Sequence, residues 1–213
     1  MYFIKIHLAL LLAFTCCVQY SFANNTAEST KRLLILGDSL TAGYGLAAEE
    51  AFPAQLEEAL LQSGRNVSVI NAGVSGDTSA GGLARLDWAL QDDPQMVIVA
   101  LGGNDALRGL PPEETFANLD AILERLKVAG IHVILIGMKA PRNLGESYTT
   151  AFDQIYPRLA QKHNVSFYPF FLDGIALDPS LNQTDGIHPN VDGIALIVER
   201  ILPLVESALM AMP

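Results

Sequence analysis

From residue 31 onward, short apolar runs alternate with longer stretches of helical periodicity. Residues 32–36, 67–70, 96–101, 131–136 and 165–168 are compact hydrophobic runs, the pattern of strands buried on both faces; the fifth is the weakest. Between and after them, 49–62, 78–90, 112–128, 147–163 and 191–209 predict helices; Phe52, Leu56, Ala59 and Leu60 show the spacing in the first. Ser63-Gly64, Asp92-Asp93-Pro94 and Gly130 supply the stops. Pro203 is expected to kink or end the regular part of the last helix.

Strands and helices in alternation predict one α/β domain, because parallel neighbours need a helical crossover between them. The expected core is a five-stranded parallel sheet with helices on both faces. Chemistry in such sheets gathers beyond the carboxyl ends of the strands.

Residues 1–23 read differently. Lys5 gives a positive start, Leu8 to Val18 is an almost continuous apolar run, and Ser21-Phe22-Ala23 sets small residues at a cleavage site. The run is about half of the ~20 residues a spanning helix needs, so a cleaved signal is expected rather than an anchor. Thr15, before Cys16 and Cys17, does not suit a lipobox. Export to the periplasm follows, with residues 24–213 as one domain. Both cysteines leave with the signal, which excludes a disulfide, a thiol nucleophile and cysteine-ligated metal from the body.

Charge narrows the partners. With 13 Lys+Arg against 23 Asp+Glu, the formal net charge is −10. Such a chain lacks the cationic footprint that phosphate backbones require, so nucleic acid is not an expected partner.

The strand-end loops hold Gly37-Asp38-Ser39-Leu40, Asn71-Ala72-Gly73, Gly102-Gly103-Asn104-Asp105 and Asp185-Gly186-Ile187-His188-Pro189. His188 is the histidine that falls in such a loop, and Asp185 three residues earlier can fix its tautomer. Ser39 is the candidate nucleophile, which needs a base because a neutral hydroxyl attacks esters poorly. The N–H of Ser39, the N–H of Gly73 and the amide of Asn104 could converge as an oxyanion hole. Asp38 is expected to bond the turn. Each has a plain alternative: Ser39 as an N-cap, Gly73 and Asn104 as turn formers, His188 as a surface residue, and Asp185, His188 and Asp192 as a metal site. Together they make the parts list of acyl transfer.

At these residues the chain resembles the SGNH, or GDSL, hydrolases. All four blocks occur in order, and Leu34 to Gly45, Ser75-Gly76-Asp77-Thr78 and Leu101 to Gly109 are similar to the bacterial thioesterase I, lysophospholipase L1 and arylesterase branch. The resemblance implies a flavodoxin-like three-layer sandwich and a serine esterase acting on esters and thioesters: aryl esters, lysophospholipids or acyl-CoA. It implies Ser39, Asp185 and His188 as catalytic residues, Ser39, Gly73 and Asn104 as the oxyanion hole, and no metal or cofactor. Leu107, Leu110 and Leu144 either contact the acyl chain or simply pack. A small-molecule substrate, no stable membrane insertion and a monomeric state complete the expectation. Activity should decline toward acid as His188 takes up a proton.

Two rivals remain. Gly43-Tyr44-Gly45-Leu46-Ala47-Ala48 fits a dinucleotide fingerprint, but its glycines lie past the strand end and no acid closes the second strand. A non-catalytic exported binding module could use the same scaffold.

Overall fold

The computed structural model describes residues 30–212; the expected signal, residues 1–23, lies outside the described residues. Five strands, β1 (Lys31–Gly37), β2 (Val67–Gly73), β3 (Met96–Ala100), β4 (His132–Ile136) and β5 (Ser166–Tyr168), form one parallel sheet in the order β2-β1-β3-β4-β5. Leu33 to Leu36, Met96 to Ala100 and Ile134 to Ile136 are buried, so the sheet interior is covered on both faces as their unbroken apolar runs require.

The helices are α1 (Ser39–Ala42), α2 (Phe52–Gln62), α3 (Ser79–Ala84), α4 (Leu86–Ala89), α5 (Gly103–Leu107), α6 (Pro112–Val128), α7 (Glu146–Asp153), α8 (Ile155–His163) and α9 (Val191–Met210). α2 and α9 pack on each other, while α6 contacts both α3 and α8. The chain steps from β1 to β2 in one direction and from β3 through β4 to β5 in the other. The reversal falls between β1 and β3, where open α/β sheets leave a crevice at the carboxyl ends. No helix among the described residues is long and apolar enough to cross a membrane.

Several boundaries differ from expectation. The helix predicted over 78–90 breaks at Arg85 (φ −100°, ψ 5°), whose guanidinium is drawn to Asp77 and to the Gly37 carbonyl. The one predicted over 147–163 breaks at Gln154. Pro203 does not end α9, which continues to Met210. Buried Ile197, Ile201, Val205 and Leu209 carry the apolar stripe through the proline, so packing compensates for the hydrogen bond it removes. Helical structure also begins at Ser39 rather than near Glu49, as one turn capped by Asp38.

Candidate active site

The end of β1 turns straight into α1. Asp38 is the N-cap: its Oδ1 accepts from the Leu40 N–H at 3.0 Å, and its Oδ2 accepts from Asn104 Nδ2 at 3.3 Å. With the cap supplied by Asp38, the Ser39 hydroxyl is free for another partner, which is His188. Ser39 Oγ lies 2.8 Å from His188 Nε2, across 149 residues of sequence. His188 Nδ1 lies 2.6 Å from Asp185 Oδ2, and Asp185 Oδ1 accepts from the N–H groups of Ile187 and His188. A proton on Nδ1, shared with the carboxylate, leaves Nε2 as an acceptor for the Ser39 hydroxyl.

The two aspartates titrate in opposite directions. Asp185 is lowered from the ordinary 3.8 to about 2, first by the His188 backbone N–H, then by that of Ile187 and by the His188 ring. Asp38 is raised to about 6 by burial, against the lowering effects of the Leu40 N–H, His188 and Asn104. The contribution of Asp185 to stability is therefore present above pH 3.8 and lost as pH falls through about 2. That of Asp38 is present below pH 3.8 and lost as pH rises through about 6. Carboxyl ¹³C titration should give midpoints in that order; an Asp38 midpoint at or below that of Asp185 contradicts the burial argument.

Asn104 stands in the first turn of α5, and its Nδ2 also donates to the Asp77 carbonyl at 2.9 Å. The adjacent Asp105 is buried and accepts from the Ser79 N–H and hydroxyl and from Thr115, which ties α5 to α3 and α6. Above these groups lies a cavity of about 680 Å³, lined by Ser39, Asn104 and His188 together with apolar side chains such as Leu107, Met138, Phe170 and Ile187.

Gly73 does not join them. It is the last residue of β2, in register with Gly37, and its N–H donates to Asn71 Oδ1 at 2.9 Å. It lies outside the cavity lining, and a Cβ there would meet the Ala42 backbone nitrogen at 2.5 Å. The strand outlasts its apolar run, so Gly73 still serves the sheet. Three residues on, Gly76 does line the cavity, with φ +82° and its carbonyl held by Arg108 Nη2 at 2.6 Å. Gly76 belongs to the Ser75-Gly76-Asp77-Thr78 stretch of the resemblance, whereas Gly73, at the strand end, stays in the sheet.

Among the leucines, Leu107 lines the cavity, whereas Leu110 and Leu144 do not. The Leu110 carbonyl instead accepts from the Tyr148 hydroxyl. Met138, Phe170, Leu172, Ala176 and Ile187 were missed. The strand-end rule applied to β4 reaches Met138; the others lie in a long irregular connection with no periodic signal.

Among the described residues no group of three or more His, Cys, Asp or Glu could hold a metal. The Gly43/Gly45 fingerprint opens no helix: Gly43 is the left-handed C-cap that closes α1.

The architecture and this strand-end cavity belong to the α/β hydrolytic enzymes that build their site at a sheet switch point. More particularly, the chain belongs to the GDSL-like lipase/acylhydrolase family, whose profile matches residues 35–196. It is 44% identical over 185 residues to thioesterase 1/protease 1/lysophospholipase L1 of Escherichia coli K12, covering 84% of this chain and 88% of that protein. It is 40% identical over 176 residues to an arylesterase of Vibrio mimicus, covering 82% and 88%. The crystal structure of TesA superposes with a TM-score of 0.80 at 37% identity, covering 84% of this chain and 99% of the other. The expected ester-hydrolysing SGNH enzyme and its five-stranded fold therefore hold.

Proposed function

We propose that the protein hydrolyses carboxylic esters and thioesters through an acyl-enzyme on Ser39. The observation that carries this reading is the continuous chain Ser39 Oγ–His188 Nε2 at 2.8 Å and His188 Nδ1–Asp185 Oδ2 at 2.6 Å, facing an apolar cavity. As Oγ attacks the acyl carbon, its proton passes to His188 Nε2, and ionised Asp185 stabilises the imidazolium. His188 then protonates the leaving alcohol or thiol. Water, deprotonated by the same imidazole, attacks the acyl-enzyme and restores the Ser39 hydroxyl.

The oxyanion donors in this proposal are the Ser39 N–H, the Gly76 N–H in place of Gly73, and Asn104 Nδ2. A first-turn amide such as that of Ser39 has no intrahelical acceptor and points outward. The 3.3 Å contact from Asn104 to Asp38 is the longer of its two bonds, so it is the one an oxyanion can displace. Asn104→Ala should lower kcat about 10²- to 10³-fold. Steady-state kinetics on a p-nitrophenyl ester checks this, and a kcat within threefold of wild type would remove Asn104 from the oxyanion hole.

Apolar walls around the reacting groups favour substrates with a moderate or long acyl chain. The substrate class covers aryl esters, lysophospholipids and acyl-CoA thioesters. Residues 1–23 act in this reading as an export signal, which places the mature enzyme in the periplasm.

A further inference from the structure

In the turn at the tip of a long connection between β5 and α9, Asp185, Gly186 and Ile187 are exposed, and His188 beside them is half-buried. The neck of this turn is closed by an isolated antiparallel bridge, Asn182 to Pro189, rather than by a sheet. Gln183 sits in that neck and makes three bonds that bear on the imidazole. Its backbone N–H donates to the His188 carbonyl at 2.7 Å, and its Nε2 donates to the Pro189 carbonyl at 3.0 Å and the Tyr44 carbonyl at 2.7 Å.

The last bond crosses 139 residues to the loop that follows Ser39. That loop is itself tied to the nucleophile, because the Tyr44 N–H donates to the Ser39 carbonyl. The Tyr44 ring lies 4.6 Å from the His188 ring, tilted by 35°. Gly45, at φ +75°, leaves room for this arrangement: a Cβ there would overlap the Gln183 side-chain oxygen.

We propose that Gln183 is a positioning residue, whose amide holds the imidazole turn against the Ser39 loop and keeps the Tyr44 ring as a wall of the base. The role rests on Ser39 and His188 being the reacting pair. Displacing a reacting group by about 1 Å can cost on the order of 10²-fold, so loss of this tie should act on kcat rather than on substrate binding.

Gln183→Glu conserves size but sets a carboxylate without donors against two carbonyl oxygens. It should lower kcat about 10- to 100-fold on a p-nitrophenyl ester, with KM within about twofold of wild type and a native circular dichroism spectrum. Gln183→Ala should match it. If a Gln183 variant fails to fold, Gly45→Ala, which pushes the same amide aside, should give the same split between kcat and KM. Wild-type kcat in Gln183→Glu, or a loss carried by KM, would overturn the role. Ser39→Ala run alongside separates the two failures. Turnover retained there overturns the reacting pair itself, whereas a dead Ser39→Ala beside an active Gln183→Glu removes Gln183 alone.

Discussion

Ser39→Ala should lower kcat by about 10⁴- to 10⁶-fold, since the residues of such a chain act as a unit and losing the nucleophile removes nearly all they contribute. Folding should survive. The α1 cap belongs to Asp38, and the bond of the Ser39 hydroxyl is to His188, so no buried polar group loses its only partner. A substitution of this kind usually shifts stability by less than about 1 kcal/mol. Circular dichroism melting beside turnover of a p-nitrophenyl ester measures both effects. A folded Ser39→Ala protein with more than about a hundredth of wild-type activity contradicts the assignment.

The second large effect is expected at Asp185, where two roles must be separated. The carboxylate shapes the turn through the N–H groups of Ile187 and His188, and it faces His188 Nδ1. Asp185→Asn keeps an oxygen for the two backbone donors but can turn a donor toward Nδ1. The imidazole then carries its proton on Nε2, facing Ser39, and cannot act as the base. A fall in kcat of about 10⁴-fold at neutral pH is expected, with little change in melting temperature. Asp185→Ala should add a loss of stability, because both turn bonds go. If Asp185→Asn keeps kcat within tenfold, the carboxylate is only a turn former.

How far the fold could be read before folding depended on burial. Residues 32–36 and 96–101 announce central strands because both faces must be apolar. Val67–Gly73 is less plain: it is an edge strand, and exposed Asn71 interrupts its hydrophobic run three residues early. That shortfall placed Gly73 in a loop when it belongs to the sheet, and hid Gly76 one turn beyond. The breaks at Arg85 and Gln154 left no mark on the periodicity; at Arg85 the break accompanies a bond to nearby Asp77 and a long-range one to the Gly37 carbonyl.

The site divides in the same way. Ser39, Asn104, Asp185 and His188 carry chemistry unusual enough to stand out in strand-end loops; the structure brings Ser39, Asn104 and His188 to one cavity and sets Asp185 behind the His188 ring. Gln183 carries none; its meaning lies in a bond to a carbonyl 139 residues away. Leu110 and Leu144 show the converse, since an apolar residue near a site is as easily packing as contact.

The central claim is that Ser39 becomes acylated while His188 takes its proton. Treating the protein with a fluorophosphonate and mapping the adduct by peptide mass spectrometry tests it most directly. One stoichiometric adduct on the peptide containing Ser39, absent from Ser39→Ala and strongly slowed in His188→Ala, is the predicted result. An actively hydrolysing protein that takes no label, or carries it on a different residue, would contradict the account.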